Sequence, residues 1–143
     1  MKVKIINSSP YLLPKYETVK SAGMDLMANI DEAITLHPQQ TKLIPTGIRI
    51  ELPDGIEAQI RSRSGLAIKH GVVVINSPGT IDPDYRGEIM VGLKNTSDVP
   101  VVITQGMRVA QMIFSKFERV EWESVDELSE TKRGSGGFGS TGL

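Results

Sequence analysis

The chain closes on eleven residues, Arg133-Gly-Ser-Gly-Gly-Phe-Gly-Ser-Thr-Gly-Leu143, that combine one cation, one aromatic ring and three hydroxyls with five glycines. So glycine-rich a run cannot pack a core. Glycine loses the most conformational entropy on ordering, so the run is expected to be mobile when empty and to settle only on a ligand that engages many backbone N–H groups. A polyphosphate carrying a planar base is such a ligand. Backbone amides, Ser140, Thr141 and Arg133 suit phosphate oxygens, and Phe138 offers a face for stacking. A frayed Gly/Ser terminus is the plain alternative. Gly134 to Gly139 satisfies G-x-G-x-x-G, but only four residues follow it, too few for the helix that a dinucleotide fingerprint requires, and no Lys follows the glycines as a P-loop demands.

Four more segments carry residue types that a plain β-sandwich does not need: Ala22-Gly-Met-Asp-Leu26, Arg63-Ser-Gly-Leu-Ala67, Gly79-Thr-Ile-Asp-Pro-Asp-Tyr-Arg-Gly87 and Gly106-Met-Arg-Val-Ala-Gln111. Ser64 sits where a short helix is expected to begin. Its hydroxyl and the free N–H groups behind it would form an anion site, with Arg63 adding a permanent charge. A simple cap with a surface Arg would read the same way. Asn76, Ser77, Pro78 and Gly79 form a turn between Val72–Ile75 and Thr80–Asp82, which reads as a hairpin ending on a carboxylate. Asp84 is read as a solvated turn residue or a partner for Arg86. Asp25 alone cannot build a metal cage, and it is equally suited to holding its own loop by accepting backbone N–H bonds. Arg108 fits an ion pair as well as it fits a phosphate, and it is left out of the candidate site.

In order and spacing, the five segments together closely resemble the five motifs of the trimeric deoxyuridine triphosphatases (dUTP diphosphatases), and the resemblance spans essentially the whole chain. It implies a homotrimer of distorted jelly-roll, barrel-like all-β subunits, each with one short helix and a mobile C-terminal tail. It also implies hydrolysis of dUTP to dUMP and pyrophosphate by water attack on the α-phosphorus, which lowers dUTP and supplies dUMP for dTTP synthesis. By this resemblance Asp82 is the catalytic residue that activates the water, a role worth about 10²–10⁴ in rate. Arg63, Ser64, Gly65 and Gln111 bind the triphosphate. Asn76, Gly79, Thr80, Ile81 and the backbone of Met90 read uracil along a strand edge, and Tyr85 packs under the deoxyribose, leaving no room for a 2′-hydroxyl. Arg133, Phe138, Gly139, Ser140 and Thr141 close over the nucleotide. Magnesium (Mg2+) is chelated by the triphosphate, with Asp25 acting on it through water. Each of the three shared sites would draw the hairpin from one subunit, the phosphate-binding segments from a second and the tail from a third. The related dCTP deaminases would place a Glu base in the hairpin region and lack this tail. A non-catalytic sensor on the same scaffold would lose Asp82 or the tail.

The elements that must position these residues are short. Apolar residues alternate with period two over Lys2–Ile6, Ala33–Leu36, Thr41–Ile44, Ile48–Leu52, Ile56–Ile60, Val72–Ile75, Ile89–Lys94, Val101–Thr104 and Val109–Phe114, punctuated by Pro, Gly, Asn and Asp. That spacing predicts a β-sandwich or barrel. Gly65–His70 reads as the one internal helix, and Ser124-Val-Asp-Glu127 fits a capping box that would nucleate another turn. From Glu118 to Glu130 six acids face one Arg, the pattern of a solvated arm that could reach a neighbouring subunit. The expected division is a β domain over 1–128 and a Gly-rich arm over 129–143.

At 143 residues the chain fits one domain with one core. A net charge of −1 and seven aromatics disfavour a nucleic-acid partner or an anionic membrane. With no cysteine and two histidines, His37 and His70, neither disulfides nor a thiolate or histidine metal cage can form. No apolar run suggests a leader or a membrane span, so a soluble, cytoplasmic protein is expected.

Overall fold

The computed structural model describes residues 1–137. Over that range the expected strands form, most within one or two residues of the sequence reading: β1 (Lys4–Asn7), β3 (Ile34–Leu36), β4 (Thr41–Pro45), β5 (Ile48–Glu51), β6 (Ile56–Arg61), β7 (Val72–Val74), β9 (Met90–Asn95), β10 (Val101–Ile103) and β11 (Arg108–Lys116). Two more strands, β2 (Gly23–Met27) and β8 (Gly79–Ile81), lie in motif segments, and α1 (Ser64–His70) is the single helix among the described residues.

Two sheets do most of the positioning. One runs β2-β11-β6-β8 and the other β4-β9-β7, while β1 pairs with β5 and β3 with β10, every pairing antiparallel. Alternate residues of both main sheets meet in one apolar cluster. Ile44, Val72, Val74, Val91 and Leu93 come from one sheet, and Leu26, Ala58, Ile60, Val109 and Met112 from the other. The result is a distorted jelly roll whose strands are too short for either sheet to bury its face alone.

Local chemistry fixes the joints. Gly71 ends α1 in the left-handed region at φ 65°, its N–H donating to the carbonyl of Ala67. Thr96 then donates to the Gly71 carbonyl through both N–H and hydroxyl, tying the helix end to the loop after β9. At the β1–β5 edge the Lys4 ammonium lies 2.7 Å from Glu51, and by hydrogen bond first and charge second it holds that carboxyl below its ordinary range.

Two expectations fail. Val72–Ile75 and Thr80–Asp82 do not pair as a hairpin: β7 pairs with β9 and β8 with β6, so the turn between them crosses from one sheet to the other. The capping box at Ser124–Glu127 starts no helix, and residues 118–130 are exposed throughout with no regular structure. A turn of helix there would find no neighbour within the described chain against which to bury its apolar residues, and a lone short turn does not hold in water. Among the described residues no helix is long and apolar enough to cross a membrane.

Candidate functional site

One cluster gathers where β2, β11 and the loop before α1 converge. Asp25 on β2 stands opposite Gln111 on β11, and Gln111 in turn stands opposite Arg61 on β6. Two residues past the end of β6, Arg63 turns back so that its Nε donates to Asp25 Oδ1 at 2.8 Å and its Nη1 to the Arg108 carbonyl at 2.9 Å. Arg108 reaches the other Asp25 oxygen at 3.4 Å and Glu17 at 3.5 Å. Gln111 Nε2 donates to the Ser62 carbonyl at 3.0 Å, its amide lying across Gly23. The structure therefore brings Asp25, Arg63 and Gln111 together, with Ser64 and Gly65 exposed beside them at the start of α1. Arg63 occupies the helix-cap position and Ser64 the first helical one, and no side chain caps the helix. Half-exposed guanidiniums on either side of one carboxylate leave donor N–H groups free to turn to an anion.

Arg108, left aside on sequence, belongs to this cluster. Its signal was its place three residues before Gln111, which on a strand puts the two on opposite faces. A bulge between Arg108 and Ala110 resets the alternation and brings Arg108 to Asp25.

A second cluster forms at the edge strand β8. Only one side of β8 is paired, to β6, so its outer row of N–H and C=O groups is open among the described strands. Asn76 lies against Gly79, whose place a Cβ would fill 3.1 Å from Asn76 Nδ2. The Ile75 N–H donates to the Gly92 carbonyl, anchoring this turn to β9, the strand that begins at Met90. Thr80 and Asn76 are exposed and Ile81 half-buried.

Asp82 follows β8 into an open cleft of about 800 Å³, lined also by Asp54, Gly55, Asp84, Arg86 and Arg119. Arg86 does not pair with Asp84, contrary to one reading of the sequence. Its Nη1 donates to the carbonyls of Pro83 and Tyr85, which holds the turn after Asp82 closed. Tyr85 is 43% exposed and donates its hydroxyl to the Glu88 carbonyl at 2.9 Å, so it is not a core aromatic.

The two clusters adjoin at Ser62, whose N–H donates to the Ser77 hydroxyl at 3.4 Å and whose hydroxyl accepts the Val74 N–H at 2.8 Å, but Asp82 stands away from Gln111. From the Arg61–Gln111 pair to the level of Asp82 is four residues along β6, roughly 13 Å, and two strand spacings of about 4.8 Å separate β11 from β8. Arg133 lies in neither cluster; its Nε donates to the Gly136 carbonyl. Phe138, Gly139, Ser140 and Thr141 lie outside the described residues.

No three His, Cys, Asp or Glu side chains converge to hold a metal among the described residues. Both Asp25 oxygens face guanidiniums, so the carboxylate does not fit direct cation coordination.

The family model described as dUTPase matches residues 10–142. A curated relative, the deoxyuridine 5′-triphosphate nucleotidohydrolase of Rickettsia felis, is 57% identical over 100% of this chain and 97% of its own length, and that of Rickettsia conorii is equally similar. Among solved structures, the dUTPase of Staphylococcus bacteriophage 80alpha with dUpNHpp superposes with a TM-score of 0.85 at 24% identity, covering 99% of both chains. A dUTPase variant from phage phi11 of S. aureus, which coordinates a structural Mg(II) ion, superposes with a TM-score of 0.80 at 22% identity, covering 91% of this chain and all of that one.

Proposed function

This chain belongs to the dUTPase family, and on that premise we propose that it hydrolyses dUTP to dUMP and pyrophosphate through sites shared between three copies of itself. The open edge of β8 presents alternating N–H and C=O groups to the base, with the Asn76 side chain at the turn before it. Gly79, Thr80, Ile81 and the Met90 backbone complete that surface. A site built to hydrogen-bond one pyrimidine leaves buried groups unpaired with another, which can discriminate by about 10⁴–10⁵.

Asp82 accepts a proton from water as the water oxygen attacks the α-phosphorus. The bond from that phosphorus to the bridging oxygen breaks, and pyrophosphate leaves carrying the bond's electron pair. Arg63, Ser64, Gly65 and Gln111 hold the β- and γ-phosphates and gather the charge that develops on the leaving group. Asp25 aims Arg63, and it would act only through water toward a magnesium ion bound with the triphosphate, whose charge would offset part of that on the leaving group. Tyr85 lies under the deoxyribose. The arm over 129–143 closes on a site of the assembly, bringing Arg133, Phe138, Gly139, Ser140 and Thr141 over the nucleotide and excluding bulk water.

The observation that carries the shared-site reading is the separation of Asp82 from Gln111. By register Asp82 lies roughly 16 Å from Gln111 along and across the sheet, far more than one phosphate group spans, and a second copy supplying one of them would let a single nucleotide touch both. The substrate is a free nucleotide, so the reading places the enzyme in the cytoplasm.

The test is pyrophosphate release from dUTP, dCTP, dTTP and UTP measured in parallel with magnesium present and the products identified. Release from dUTP alone, with dUMP formed, is expected. Ammonia from dCTP would assign the chain to deamination instead, and tight dUTP binding without turnover would make it a sensor.

A further inference from the structure

Gly87 is a glycine without a backbone reason. Unlike Gly47, Gly55 and Gly71, it does not occupy the left-handed region, so its conformation is open to any residue. What it lacks is space: a Cβ built there would lie 2.3 Å from the Tyr85 hydroxyl oxygen, 2.5 Å from Cζ and 2.9 Å from Cε2. The hydroxyl end of the Tyr85 ring lies directly over Gly87.

The backbone on the far side of Gly87 cannot give way. The Glu88 carboxylate accepts the N–H groups of Thr46 and Gly47 at 3.1 and 2.7 Å. The Ile89 N–H donates to the Ile48 carbonyl, and the Thr46 hydroxyl donates to the Ile89 carbonyl at 2.6 Å. Ile89 itself is fully buried. The Tyr85 ring, by contrast, is half-exposed, and its one hydrogen bond is to the Glu88 carbonyl. If a methyl group were added at 87, the ring would move and the backbone would stay.

We infer that Gly87 is a specificity-determining residue: it is the seat that fixes the height of the Tyr85 ring and hence the space left beside the sugar. This rests on the reading of Tyr85 as the deoxyribose platform. The pinning of Glu88 to the β4–β5 turn extends the argument to residues remote in sequence, because Thr46 and Gly47 set the level from which the ring is measured.

The test compares kcat/KM for dUTP and UTP in the wild type, Gly87→Ala, Tyr85→Ala and the double variant, with thermal melting recorded for each. Gly87→Ala is expected to lower the dUTP-to-UTP ratio by about tenfold or more, and the double variant to fall no further than Tyr85→Ala alone. A ratio lost in Tyr85→Ala but kept in Gly87→Ala overturns the seat and leaves the platform standing. An unchanged ratio in Tyr85→Ala overturns both. A Gly87→Ala effect that persists in full without the ring also overturns the seat. Should Gly87→Ala alone fail to fold, a folded double variant supports the contact, since removing the ring removes the collision; a double variant that also fails shows the methyl striking backbone and overturns it.

Discussion

Arg63 is aimed by Asp25: one guanidinium N–H meets one carboxylate oxygen at 2.8 Å, across the seam between β2 and the loop that enters α1. The Asp25 side chain is 20% exposed and that of Arg63 31%, so the pair is partly shielded from solvent screening but still open on the side an anion would approach. Asp25→Asn keeps the shape and one acceptor oxygen, yet loses the charge that holds two guanidiniums. The expected result is a rise in KM for dUTP of about tenfold with kcat changed far less, the mark of lost binding shared by ground and transition states. Steady-state kinetics checks this. A fall in kcat at unchanged KM would move Asp25 into the chemical step.

Among the described residues Asp82 has no aiming partner of this kind. It is exposed at the lip of an open cleft, free to hold a water once a nucleotide fills the space. Asp82→Asn should bind dUTP normally and lose about 10²–10⁴ in turnover, as measured by calorimetric titration alongside pyrophosphate release. Turnover near the wild-type rate would remove Asp82 from the mechanism.

Trp122 is 94% exposed in the single chain, and Val120, Val125 and Leu128 on the same arm are exposed with it. If the assembly proposed above covers this arm, the sole tryptophan reports it. Its emission should be blue-shifted in a particle of three times 15.6 kDa, and should shift red when dilution or mild denaturant dissociates that particle. Sedimentation and fluorescence titration together check this; a red-shifted spectrum in an intact trimer would leave the arm unpaired.

Cutting the chain after Lys132 removes Arg133 and the glycine-rich run but spares Trp122. The truncated enzyme is expected to assemble as the full chain does and to lose most of its turnover, because the site would stay open to water. Gel filtration and the pyrophosphate assay separate the two effects, and unchanged kinetics would reduce the tail to a frayed end.

How far the sequence spoke depended on whether a feature was local. Alternating runs such as Ile56–Ile60 and Ile89–Lys94 became β6 and β9 because each buries every second residue in the common core. Gly23–Met27 gave no such signal: only Leu26 is fully buried, so β2 has no alternation to read and takes its place by pairing with β11. The Asn76–Gly79 turn looked like the tip of a hairpin because turn residues say where a chain reverses and not which strand it then joins. The chemistry of Asp25, Arg63 and Gln111 was visible as residue types, but their convergence, and Arg108 among them, depends on register across three strands. The need for glycine at 87 is visible only in the folded molecule, because it depends on the Tyr85 ring folding back over a residue two places on, which the order of residue types does not reveal.

Asn95 is the buried polar residue on which the end of β9 depends. It is fully buried, and its amide donates to the carbonyls of Leu36 and Val99 at 2.9 and 2.8 Å while its oxygen accepts the N–H and hydroxyl of Ser97. Asn95→Ala strands the buried Leu36 carbonyl, while that of exposed Val99 keeps the Ser97 hydroxyl, and should lower unfolding stability by about 2–4 kcal/mol. Asn95→Asp keeps the volume and the Ser97 contacts but turns an acceptor toward both carbonyls and buries a charge, so it should cost more than the alanine at neutral pH. Urea unfolding of the three proteins at one matched concentration, to hold any assembly term constant, decides the order. An aspartate variant more stable than the alanine variant would mean that filling this volume matters more than satisfying the Leu36 carbonyl.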